Sequence, residues 1–206
     1  VVEQDQVAIL NVAVEREGQV DDRELQTLAA PDRHDLHRLG ATGPSFIAIH
    51  AVHLDADDVD LLARHGGHVV HCPASNMKLG CGIAPITDYR ARGINVALGT
   101  DGAASNNRLD LFGEMRLAAL LAKVATGDPA ALPAADVLRA ATLGGAQALG
   151  LDADVGSLSP GKFADVVAVD LGTVEAAPCY DPVSHLVHVV GREAVTDVWV
   201  AGQRLV

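Results

Sequence analysis

Residues 95–107 carry the clearest chemistry in the chain. The apolar run Val96, Ala97, Leu98 ends in Gly99-Thr100 and then presents the carboxylate of Asp101. Small and polar residues follow, from Gly102 to Ser105, so the backbone there can approach a ligand closely. Asp101 reads as a metal ligand or a general base, and equally as the cap of the following turn. Three other apolar runs end in the same way. Residues 7–14 run into Glu15, residues 45–49 run into His50, and residues 68–71 close on His71. Taken singly, each has a bland reading as a solvated carboxylate or a satisfied core histidine. Taken together, four strand ends that deliver only ionisable side chains point to one site. His185 and His188, spaced i, i+3, read as the polar edge of a half-buried segment rather than as a metal pair.

The elements that must position these residues follow from punctuation and period. Helices are expected near Asp21-Asp22 and from Pro31 to a stop at Gly40. Asp55 is placed to cap a helix carrying Val59, Leu62 and Ala63, stopped by Gly66-Gly67. Residues 72–76, with Pro73, read as a loop, and residues 84–92 as a helix ending at Gly93. A long amphipathic helix is expected over 109–125, with Leu111, Met115, Ala118, Ala119 and Ala122 on one side and Met115 in the core. Another helix starts at Pro133 and is interrupted at Gly144-Gly145. Strands alternating with helices imply a parallel sheet. Right-handed crossovers then bring Glu15, His50, His71 and Asp101 to one face, at the strands' carboxyl ends. After about residue 150 the pattern turns β-rich, over 163–169 and 195–200, with Ala201-Gly202 as a hairpin turn. This divides the chain into 1–150 and 151–206.

Bulk properties narrow the functions. The 206 residues carry a formal net charge of −12, which argues against nucleic acid or an anionic membrane surface as partner. Cys72, Cys81 and Cys179 show no C-x-x-C spacing, which suits a reducing cytosol. No apolar run has membrane-spanning length and no basic-then-apolar leader precedes the first strand, so a cytoplasmic location is expected. The chain begins at Val1 rather than Met, which hints at a fragment or a processed product. Dinucleotide-binding, P-loop, serine-hydrolase and H-E-x-x-H signatures are absent.

Four ordered motifs carry a resemblance: His-Ala-Val-His-Leu at 50–54, His-Cys-Pro-Ala-Ser-Asn-Met-Lys-Leu at 71–79, Leu-Gly-Thr-Asp-Gly-Ala-Ala-Ser-Asn-Asn at 98–107, and Pro-Gly-Lys-Phe-Ala-Asp at 160–165. They resemble the metal-dependent amidohydrolases, nearest the S-adenosylhomocysteine/5-methylthioadenosine deaminases and related chlorohydrolases. The resemblance implies an α/β fold: the C-terminal half of a (β/α)8 TIM-type barrel, with about four parallel strands, plus part of a small β-sandwich. It implies one divalent metal, zinc or alternatively iron, and an aminopurine-type small-molecule substrate. On that pattern Asp101 is the metal ligand and takes a proton from the attacking water. His50 contacts that water or the substrate, Glu15 shuttles the proton, Ser105 contacts the substrate, and His71 supports. Position 12, three before Glu15, holds Val where the pattern has a histidine ligand; a slip of one residue gives Asn11. The pattern's strand 1 His-x-His pair has no counterpart in the chain. The competing expectation is therefore an inactive amidohydrolase piece with a structural or interaction role, and open barrel edges make self-association an expected property.

Overall fold

The structure, a computed structural model, describes residues 7–10 and 43–206. In chain order the elements are β1 (Val7–Leu10), β2 (Ile47–Ile49), α1 (Ala56–His65), β3 (His68–His71), α2 (Pro73–Lys78), α3 (Ile86–Ala91), β4 (Asn95–Leu98), α4 (Leu111–Thr126), α5 (Ala134–Ala141), α6 (Leu143–Ala148), β5 (Val166–Asp170), α7 (Pro182–His188), β6 (Val195–Val200) and β7 (Gln203–Arg204). The helices expected near Asp21 and from Pro31 to Gly40 lie outside the described residues.

β2, β3 and β4 form a parallel sheet in that order, with Ala48, Val69 and Val96 in one row across it. Helices α1 and α3 make the crossovers, as strand–helix alternation requires. Val69 and Val96 face a core that also holds Val59 and Leu62 from α1, Ile86 and Tyr89 from α3, and Met115, Ala118 and Ala122 from α4. The alanines keep one side of α4 flat, so it lies close on its neighbours. Burying a side chain such as Val69, wholly inaccessible here, contributes about 1.5–3 kcal/mol.

The sheet accounts for three of the four expected parallel strands among the described residues. The remaining run, Val7–Leu10, pairs antiparallel with β5, Val7 opposite Asp170 and Leu10 opposite Val167. A continuous apolar run marks a strand but does not say which sheet receives it. β1, β5, β6 and β7 thus make a second sheet, in which β5–β6 and β6–β7 are also antiparallel. The β6–β7 turn is Ala201-Gly202, both left-handed at φ 51° and 80°, as a tight hairpin requires. Two elements cross the division expected near residue 150. β1 belongs to the antiparallel sheet, and α7 packs against α4 and α5.

Local signals explain most boundaries. Asp55 caps α1 in a reciprocal box with Asp58, and Gly66 ends it left-handed at φ 72°. The break between α5 and α6 falls at Thr142 rather than at Gly144-Gly145. Gly144 has a packing role instead: a Cβ there would lie 2.6 Å from the Val96 carbonyl oxygen, so only glycine lets α6 sit this close to β4. Residues 72–76, expected as a loop, open into α2. Pro73 is its first helical residue, where the missing N–H removes nothing.

Candidate active site

Three consecutive strand ends build the site. β2 stops at Ile49, and the next two residues take left-handed backbone, His50 at φ 66° and Ala51 at φ 47°. Non-glycine residues adopt this region only when their surroundings impose it. Here the His50 amide donates to the Val70 carbonyl at 2.9 Å, and the Tyr89 hydroxyl donates to the Ala51 carbonyl at 2.6 Å. Asp101, three residues beyond β4, is also left-handed at φ 60°. Its Oδ1 accepts the Gly102 amide at 2.7 Å, the local side-chain bond that lets Asp tolerate this backbone.

These turns bring His50 and Asp101 together, with Nε2 3.8 Å from Oδ2 and both side chains about a third open to solvent. The other imidazole nitrogen, Nδ1, lies 2.8 Å from Asn76 Oδ1. An amide oxygen only accepts, so Nδ1 carries the proton and Nε2 turns toward Asp101. Asp101 Oδ2 also accepts from Ser105 Oγ at 2.5 Å and Ser75 Oγ at 2.6 Å. The Ser105 and Ser75 hydroxyls, then the Gly102 amide and His50, hold the Asp101 carboxyl below its ordinary pKa. Asp101 is therefore ionised at neutral pH. Ser105, expected at the substrate, spends its hydroxyl on Asp101 in this structure.

His71 closes β3 but lies fully buried, and neither ring nitrogen has a hydrogen-bond partner among the described residues. Burial, helped by the nearby His50, lowers its pKa to about 4, so it is neutral. Cys72 is equally unreactive: burial, reinforced by Asp101 and Glu114, pushes its thiol up to about 12. His185 and His188 fall on α7. Glu15, Val12 and Asn11 lie outside the described residues.

Sequence reasoning overlooked four residues of this network. Ser75 and Asn76, both buried on α2, hold Asp101 and His50 respectively. Asn106 donates to the Thr100 carbonyl at 2.9 Å and to Glu114 at 2.6 Å, and Glu114 also receives the Ala74 amide at 3.0 Å. One signal was available: Glu114 occupies the stripe of Leu111 and Ala118, where a carboxylate is out of place.

Asp101 suits a divalent metal as an ionised oxygen donor. Among the described residues, however, no three His, Cys, Asp or Glu side chains are grouped closely enough to hold an ion. The described residues thus supply one donor of the expected set and not a complete metal centre.

Residues 12–205 match the Amidohydrolase family. The 5-methylthioadenosine/S-adenosylhomocysteine deaminase of Syntrophobacter fumaroxidans is 51% identical over 168 residues, which is 82% of this chain and 38% of that protein. The 5'-deoxyadenosine deaminase of Methanosarcina acetivorans is 50% identical over 155 residues, 75% of this chain and 35% of that protein. An adenosine deaminase from Xanthomonas campestris, solved with bound zinc, superposes with a TM-score of 0.81 at 48% identity, covering 83% of this chain and 39% of that one. The chain thus spans well under half the length of these relatives. Its three parallel strands with their helices, and its antiparallel sheet, are part of the fold these proteins share, and the chain belongs to the amidohydrolase family.

Proposed function

We propose that this chain is part of a metal-dependent deaminase that hydrolyses the exocyclic C–N bond of an adenosine-type substrate. The observation that carries the reading is the ionised Asp101, held by two hydroxyls and faced by His50 at the carboxyl ends of β4 and β2, the two strands that flank β3 in the parallel sheet. The relatives named above support the substrate class, and the zinc-bound Xanthomonas structure supports a divalent metal. Zinc is our assignment for it, with iron the alternative.

In this reading Asp101 is the metal-ligating carboxylate and the first proton acceptor. A divalent metal, when bound, supplies a water whose pKa is lowered to roughly 7. Asp101, already ionised, takes a proton from the attacking water. His50 presents Nε2 to the reacting centre, because Asn76 occupies Nδ1 and fixes the tautomer. Glu15 carries a proton to the purine ring nitrogen and then to the departing ammonia. Ser105 reaches the substrate by turning its hydroxyl away from Asp101. Acid–base placement of this kind is worth on the order of 10²–10⁴ in rate. The test is ammonia release by the protein encoded by the complete reading frame that contains this chain. S-adenosylhomocysteine, 5-methylthioadenosine, 5'-deoxyadenosine and adenosine are offered in parallel. Turnover of at least one, abolished by Asp101→Ala, supports the reading; four inert substrates contradict it.

A second reading rests on the described residues falling short of a metal centre: a piece without activity of its own that associates with another chain, β2 and β4 being the outer strands of the parallel sheet among the described residues.

A further inference from the structure

Glu114 is out of character for its position. It lies near the start of α4, 2% exposed, on a helix whose other buried residues are Met115 and three alanines. Among the described residues no cation pairs with it. Burial raises its pKa, and its hydrogen bonds work against that rise. A buried, unpaired carboxylate costs free energy that an apolar side chain of similar volume would avoid. Stability alone therefore does not account for it.

Its contacts do. Oε2 accepts the amide of Ala74 at 3.0 Å, in the first turn of α2, forty residues away. α2 has no side-chain cap of its own, so Glu114 supplies the acceptor that its start lacks. Oε1 accepts from Asn106 at 2.6 Å, and Asn106 donates its second hydrogen to the Thr100 carbonyl, next to Asp101. One carboxylate thus grips both the helix that carries Ser75 and Asn76 and the loop that carries Asp101 and Ser105. Lys78 makes a separate outer tie between the same two segments, donating to the Ala104 carbonyl at 2.8 Å and to Asn107 at 2.6 Å.

We propose that Glu114 is a positioning residue: by holding α2 against the loop after β4, it sets Ser75 on Asp101 and Asn76 on His50. The inference rests on the function proposed above for its catalytic meaning, but the geometry it asserts is measurable without activity. Glutamine at 114 keeps the shape but turns one acceptor into a donor facing another donor. The glutamate therefore matters through what it accepts, not through the space it fills.

The test compares wild type with Glu114→Gln, and with Asn106→Ala as a second cut through the same clamp. In the 206-residue chain, nitrogen chemical shifts of His50 at alkaline pH report its tautomer. Wild type should show Nδ1–H, and both variants a mixture, with the Ala74 amide exchanging about tenfold faster or more in Glu114→Gln. In the complete reading frame, kcat should fall about 10- to 100-fold with KM little changed, as expected when reacting groups are misplaced by about an ångström. A single Nδ1–H tautomer retained in both variants would overturn the proposal, as would unchanged kcat in an active wild type. An inactive wild type counts against the proposed function, and the tautomer then decides the clamp by itself.

Discussion

His71 should make this protein lose stability in mild acid. Its ring is fully buried, with neither nitrogen hydrogen-bonded among the described residues, and desolvation lowers its pKa from 6.5 to about 4. In the unfolded chain the same ring titrates near its ordinary value of 6.5. As the pH falls below 6.5 the unfolded state binds the proton first and gains stability relative to the folded state. The loss grows until the folded ring also protonates near 4, and it levels off below that. The gap between 6.5 and about 4, at 1.36 kcal/mol per pH unit, comes to about 3 kcal/mol. That is a large share of a typical stability of about 5–15 kcal/mol. The assay is urea unfolding of wild type and His71→Leu at several pH values from about 7 to about 4. Other titrating groups are common to both proteins, so the difference between the two curves isolates His71. Wild type should lose about 3 kcal/mol more than the variant across this window. Parallel curves would refute the reasoning and show that the buried ring finds a partner that accepts its charge.

Two further outcomes test the fold. Gly144→Ala should destabilise by about 1–3 kcal/mol, because the new methyl would lie 2.6 Å from the Val96 carbonyl oxygen and α6 must retreat from β4; chemical denaturation reads this directly. Asp55→Ala removes the side-chain acceptor of the capping box on α1, leaving the Asp58 amide uncapped, and should cost about 1 kcal/mol, read as a lower thermal midpoint with the same circular dichroism spectrum.

The strand ends of the site were legible in the sequence because they are punctuated. An apolar run followed by a single ionisable residue located His50, His71 and Asp101, and the four motifs placed them in a family. What joins those ends was harder to see. Pro73 suggested a loop although proline suits a helix start, so α2 was overlooked, and with it Ser75 and Asn76. Glu114 was passed over inside a stripe assigned to the core, since a hydrophobic pattern tolerates one exception without revealing whether it is an error or a clamp. His71 is near His50, but alternation along β3 puts it on the buried face shared with Val69. The sheet that takes residues 7–10 was not readable either, because a four-residue apolar run fits a parallel or an antiparallel neighbour equally well.

The central claim is that Asp101 is a metal-ligating carboxylate in a deaminase. Metal content tests it most directly, measured after exhaustive dialysis on the protein from the complete reading frame and on its Asp101→Ala variant. The account predicts about one zinc or iron per wild-type molecule and a large loss of retained metal in the variant, with its fold preserved. Equal metal in both proteins, or none in a wild type that still releases ammonia, would contradict it.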